Sequence, residues 1–208
     1  MTRKTKEISK ILRVEDTSNA PTRLMEILQN RTEREKVFKE MLELFDYKVD
    51  FDWFSEYFQE TLADKKNQGQ VFTPPHIANL IVMLDPIEQG FILEPCAGTG
   101  ALTISQWDQV RNKADYRPSD FVFLCEELSG NAIPFLIFNL AVRGITGVVN
   151  HCNTMTRGSW GAFLILNERD SSESFSNIIR LPYGKTVERL LSVEFMAERY
   201  FHQFEFQT

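Results

Sequence analysis

One run of seven residues constrains this chain more than any other: Glu94-Pro95-Cys96-Ala97-Gly98-Thr99-Gly100, set between Phe91-Ile92-Leu93 and the segment that opens at Ala101. Three consecutive apolar residues ending at a carboxylate read as a short buried strand, and Ala101 to Trp107 reads as a helix. The two glycines at the join allow a tight turn and a close approach of backbone to a ligand. Strand, glycine turn and helix in that order open a doubly wound sheet, whose ligands bind beyond the carboxyl ends of the strands. The turn is not a dinucleotide fingerprint, because the third glycine position holds Thr103. It is no P-loop either, because no Gly-Lys-Ser/Thr follows. Alone, a G-x-G turn is weak evidence for a ligand, since many serve packing only.

The alternation continues beyond the turn. Phe121 to Leu124 predicts a second strand, about 129–143 a helix, Val148-Val149 the start of a third strand and Asn177-Ile178-Ile179 a fourth. Apolar strands alternating with helices imply a parallel sheet covered on both faces. Thr156 to Ser174 has no consistent pattern; Ala162 to Leu166 has a strand's composition and Glu168 to Glu173 a loop's. The first third is helical by spacing. Val37, Phe38, Met41, Leu44 and Phe45 form one apolar stripe, Phe54, Phe58 and Leu62 another, and Pro21 opens a helix over 21–30. The polar run Asp64 to Gly69 reads as a linker. The expectation is an α/β fold: a helical segment over residues 1–66, followed by a sheet domain over 67–208.

Composition limits the partners. A net charge of −6 over 208 residues gives no sign of a broad basic surface for nucleic acid. Arg3, Lys4, Lys6, Lys10 and Arg13 crowd the first thirteen residues, where a solvated terminus is the expectation ahead of a DNA-contacting arm. Cys96, Cys125 and Cys152 are odd in number and include no C-x-x-C pair, which points to free thiols and no metal site. His76, His151 and His202 show no ligand spacing. With no apolar run of about 18 residues and no signal-peptide core, a cytoplasmic protein without membrane contact is expected.

Just past the second strand stand Glu126 and Glu127. A carboxylate there can accept from both hydroxyls of a ribose, or the pair can simply be solvated. The order of motifs adds a resemblance. Gln68-Gly69-Gln70-Val71-Phe72-Thr73-Pro74-Pro75, an apolar helix, Ile92 to Gly100, and Cys125-Glu126-Glu127 through Asn139-Leu140 to Arg143-Gly144-Ile145 resemble the S-adenosylmethionine-dependent N6-adenine DNA methyltransferases. The likeness is strongest to the modification subunits of type I restriction systems, and it covers about residues 30–185. It implies a truncated Rossmann-like methyltransferase sheet, mostly parallel, with S-adenosylmethionine as cofactor. It places Phe72 and Thr73 beside the methionine end of that cofactor. Glu94, Pro95, Cys96, Ala97, Gly98 and Gly100 would hold its amino-acid portion, Glu127 rather than Glu126 its ribose, and Asn153 would stand at the adenine position, where the family has an acidic residue.

The same resemblance fails at the catalytic element, Asn/Asp-Pro-Pro followed by Tyr or Phe. The family uses it to accept both hydrogens of the adenine amine, and to stack the flipped-out base. Here the matching residues are Arg180, Leu181, Pro182 and Tyr183. Arginine only donates and stays charged, so the acceptor is missing. No Asn-Pro-Pro or Asp-Pro-Pro occurs elsewhere; the single Pro-Pro is Pro74-Pro75. These residues imply an inactive, cofactor-binding homologue that acts as a regulatory or decoy component of restriction–modification. Its DNA binding would be weak, and its partners would be subunits of such a system or a second copy. An active methyltransferase is the alternative.

Overall fold

Among the described residues, the amino-terminal third folds as four α-helices: α1 (Arg3–Leu12), α2 (Ala20–Gln29), α3 (Arg31–Leu44) and α4 (Ser55–Thr61). The computed structural model describes residues 1–62, 73–84 and 86–197. Local chemistry starts these helices. The Thr2 side chain accepts from the Thr5 N–H, and Asn30 accepts from the Glu33 N–H, each meeting one of the donors that a first turn leaves unpaired. The stripe expected on α3 is buried at Val37, Phe38 and Met41. The basic terminus is no loose arm: α1 buries Thr5, Ile8, Ser9 and Leu12, and the Lys4 ammonium lies 4.3 Å from the centre of the Phe45 ring.

The rest of the chain runs α5 (Pro75–Leu84), β1 (Gly90–Pro95), α6 (Ala101–Arg111), β2 (Phe121–Glu127), α7 (Ile133–Val142), β3 (Gly147–Cys152), β4 (Gly158–Leu166), β5 (Asn177–Arg180), α8 (Lys185–Leu191) and β6 (Glu194–Phe195). The sheet order is β1-β2-β3-β4-β5, with β6 paired to β4. Pairing is parallel from β1 to β3 and between β4 and β6, and antiparallel on both sides of β4 over β3–β5. The α/β class and mostly parallel sheet are as expected; the antiparallel return through β4 is an addition. That strand was obscure in sequence for a physical reason. None of its residues is exposed on either face, so no alternation of polar and apolar residues marks it. Gly161 at φ +145 and a register shift at His151/Cys152 break it further.

On one face Ile92, Phe123, Cys125, Val149, Phe163, Ile165 and Ile178 join α7 and the amino-terminal helices in a single core. Phe38 packs edge-on against Phe138 at 4.6 Å, and Phe54 against Phe135 at 4.9 Å. The helical segment and the sheet thus share their interior; the linker Asp64 to Gly69 and the boundary at 66/67 lie outside the described residues. The opposite face is covered at one end, where Val187 and Leu191 of α8 close on Ala162, with Leu124 and Val148 packed alongside. Cover on both faces, as expected from the alternation, stops short of β1. That strand pairs only with β2 among the described residues, and Phe91 and Leu93 are 86% and 58% exposed. No helix among the described residues is long and apolar enough to cross a membrane.

Candidate cofactor site

The parallel register brings the carboxyl ends of β1, β2 and β3 side by side: Pro95 lies opposite Glu126, and Glu127 opposite His151. Beyond Pro95 the chain turns through Cys96 at φ +61, Gly98 at φ +59 and Gly100 at φ +102, all in the left-handed region that glycine tolerates and cysteine does not favour. Gly100 is also the N-cap of α6, and a Cβ there would stand 3.0 Å from Leu136 Cδ1. The loop is pinned from below. The Ala97 N–H donates to the Glu126 carbonyl at 2.9 Å, and the Gly98 N–H to Glu127 Oε2 at 2.7 Å.

The two adjacent glutamates divide by face. Glu127 is buried, and its other oxygen, Oε1, accepts from the Ser129 N–H at 2.6 Å. Burial raises its pKa against the opposing pull of these backbone donors. Each oxygen keeps a lone pair after its backbone bond, so two acceptors remain at a spacing suited to a vicinal diol. Glu126 points to the other face and is fully engaged by Arg157, at 2.7 and 2.8 Å. Arg157 also donates to the carbonyls of Leu191 and Ser192, tying the end of α8 to β2.

Glu94, at the end of β1, is half-buried, and no group among the described residues hydrogen-bonds its carboxyl. Burial pushes it up to about 7. Its unmet acceptors suit the ammonium of an amino-acid ligand. Ala97 is buried while Pro95 and Cys96 are exposed on the turn. Asn153 follows β3, and its Oδ1 accepts from the Met155 and Thr156 N–H groups, which leaves its amide N–H₂ as the free end. Thr73 stands just before α5; Phe72 lies outside the described residues.

Arg180 to Tyr183 lie elsewhere. Arg180 ends β5 and the other three follow it; three strands separate β5 from β1, a span on the order of 19 Å at ~4.8 Å per strand. Leu181 packs with the α8 cluster, and Pro182 is exposed. The Tyr183 hydroxyl donates to the Trp160 carbonyl, its ring sits 4.4 Å from that of Phe195, and the Arg180 guanidinium lies 5.8 Å from the Tyr183 ring.

A family profile described as N-6 DNA Methylase matches residues 50–189. The chain belongs to the N-6 DNA methylase family. That family uses S-adenosylmethionine as its methyl donor. Among curated proteins, the type II restriction enzyme and methyltransferase RM.BcgI of Heyndrickxia coagulans is 28% identical over 150 residues, 70% of this chain and 22% of the relative. This N-6 DNA methylase chain therefore spans about a fifth of that relative's length. No solved structure matches it.

Four residues to which the sequence alone assigns no role, Asp52, Thr99, Asn139 and Arg143, complete the N-6 DNA methylase loop. The Thr99 hydroxyl donates to Asp52 Oδ2; Asn139 Nδ2 donates to Asp52 Oδ1 at 2.8 Å and to the Thr99 carbonyl at 2.7 Å. Arg143 donates to the carbonyl and Oδ1 of Asn139. A signal was available: Asn139 and Arg143 stand four apart, the first alone among apolar residues in α7 and the second at its C-cap. Their partner Asp52 lies too far away in sequence for any spacing rule to find it.

All three cysteines are free thiols, and burial pushes Cys125 and Cys152 up to about 12. No group of three or more His, Cys, Asp or Glu among the described residues could hold a metal ion.

Proposed function

We propose that this chain binds S-adenosylmethionine or its demethylated product but transfers no methyl group, and that it serves as a regulatory or decoy component of a restriction–modification system. The contrast between the two halves of the site carries the proposal. At the carboxyl ends of β1 and β2 the cradle is assembled, with the Glu127 carboxylate held by Gly98 and Ser129. Bound S-adenosylmethionine would supply an activated methyl group there. The chain's own residues would do the holding: Glu127 the ribose, Glu94 the ammonium, the Gly98–Gly100 backbone the amino-acid portion, and the Asn153 amide the adenine. At the end of β5, in the segment that matches the family's catalytic element, Arg180 offers only donors, whereas that element accepts from an adenine amine. Tyr183 is already bonded to the Trp160 carbonyl and packed ring to ring, tilted, against Phe195, which leaves it poorly placed to meet a base.

DNA contact would rest on a few phosphate interactions and weaken steeply with salt, as expected for a net charge of −6. The partners proposed are restriction–modification subunits or a second copy.

Calorimetric titration tests the cradle. S-adenosylhomocysteine should bind, and Glu127→Ala should weaken it by about 1.5–3 kcal/mol, the worth of hydrogen bonds to a charged group. An absence of heat and of thermal shift with either cofactor would end the proposal. Tritiated S-adenosylmethionine with mixed-sequence DNA tests the second half. No adenine label is expected from the chain alone or with a specificity subunit. Incorporation abolished by Tyr183→Ala would instead establish an active methyltransferase.

A further inference from the structure

The glycine loop is fastened on two sides. Glu127 holds it from the strand side, facing the candidate ligand. On the other side the Thr99 side chain, fully buried, turns inward to Asp52. Asp52 belongs to the aromatic segment ahead of α4, outside the sheet in sequence and in fold. Three donors converge on its carboxylate: the Thr99 hydroxyl, the Asn139 amide and the Phe54 N–H. Burial without compensation raises a carboxyl's pKa, and here it does so despite those donors.

A second anchor holds the same segment. Arg143, fully buried and pushed down to about 9 by that burial, remains a cation at neutral pH. It donates to the Val49 carbonyl at 2.7 Å and the Phe51 carbonyl at 2.6 Å, and its guanidinium lies 4.5 Å from the centre of the Trp53 ring. Trp53 in turn donates to the Lys48 carbonyl at 2.8 Å. Residues 48–54 are thus clamped onto α7 at several points, and Asp52 carries that clamp to the loop.

We propose that Asp52 is a positioning residue for the cofactor loop, and that the docking of residues 48–54 on α7 sets the loop's affinity for its ligand through the Asp52–Thr99 bond. This rests on the proposal that the loop binds the cofactor. The members of the buried network bond one another, so removing Asp52 leaves its donors unmet and removing the Thr99 hydroxyl leaves Oδ2 without its donor, and an unmet buried polar group costs more than a bond is worth. The loop would relieve that by moving, because only Thr99 can follow without disturbing α7. A purely structural network would lower stability and leave the ligand affinity of the folded protein unchanged.

The test uses the full chain, with S-adenosylhomocysteine as probe, well below each variant's melting temperature. Thr99→Val removes the hydroxyl at nearly constant shape and should weaken binding about 10-fold; Thr99→Ser restores the donor and should bind within about twofold of wild type. Asp52→Ala should weaken binding at least as much as Thr99→Val, and the double variant no more than Asp52→Ala alone. Amide hydrogen exchange on the ligand-free proteins should show Gly98 to Gly100 opening faster in Thr99→Val, with α7 unchanged. Wild-type affinity in folded Thr99→Val and Asp52→Ala overturns the proposal. Should Asp52→Ala fail to fold, the Thr99 pair decides alone. Should wild type bind no cofactor, the proposed function fails, and exchange at the loop still decides positioning: unchanged rates overturn it, faster opening supports it.

Discussion

Helices α5 and α7 are each ten residues long and almost wholly apolar, Pro-His-Ile-Ala-Asn-Leu-Ile-Val-Met-Leu against Ile-Pro-Phe-Leu-Ile-Phe-Asn-Leu-Ala-Val, yet their surroundings differ completely. All ten residues of α7 are buried. Among the described side chains of α5, Ala78 and Val82 are buried, while Met83 and Leu84 are 74% and 78% exposed. A helix apolar all round needs cover all round. α7 has it, with the sheet on one side and the amino-terminal helices on the other. α5 has α6 beside it, and its Leu80, Met83 and Leu84 side chains are exposed. Composition sets the demand for burial; the neighbours decide whether it is met. The molecule is tightly closed around α7 and open along β1 and α5.

The largest expected effect lies on the closed side. Phe138→Ala, removing a fully buried ring that meets Phe38 and Phe54, should cost about 3–5 kcal/mol in urea denaturation. A loss below about 1 kcal/mol would mean that the helices do not seat on α7 as described.

The second test sits at the end of the open strand. Glu94 is raised by burial from 4.5 to about 7. The folded state therefore binds this proton more tightly than the unfolded chain does. Its contribution favours folding below about pH 4.5 and is withdrawn as pH rises through 7, by at most about 3.5 kcal/mol at ~1.4 kcal/mol per unit. Glu94→Gln should flatten that part of the stability–pH curve. An unchanged slope would show the carboxyl to be solvated.

The smallest effect is expected on α5. Met83→Lys with Leu84→Glu should alter stability by no more than about 0.5 kcal/mol, while reducing the fluorescence of an apolar dye. A loss above about 2 kcal/mol would show these side chains to be covered in solution, and the contrast with α7 would disappear.

The same contrast separates what could be read from the chain from what could not. Short-range patterns were legible: β1, the glycine turn and α6 are contiguous, β2 opens on an apolar run of strand length, and Val148-Val149 mark the start of β3. The assignment of Glu127 over Glu126 rested on motif register. The physical distinction between them, opposite faces with Arg157 opposite one of them, appears only once β4 has folded back. β4 itself was illegible because neither of its faces is exposed, which erases the period of two. The tie from Asp52 to Thr99 and Asn139 joins three separate segments, and nothing local to any of them announces it. The exposed edge of β1 was equally hidden, since an apolar strand looks the same with one neighbour as with two.

The order of the strands across the sheet repeats their order along the chain, from β1 to β5. No strand has to be slotted between two that are already paired, so each can add to an edge left by its predecessor, at the modest loop-closure entropy of a single connection. The long closure is the return of the amino-terminal helices onto α7, where Phe38 meets Phe138 from far along the chain. Contacts of such wide sequence separation form slowly. We therefore expect, as a hypothesis, a sheet that assembles first and a helical cap that arrives last. Pulse-labelled hydrogen exchange during refolding would show β2 and β3 protected before α2 and α3; simultaneous protection would mean that the two layers condense together.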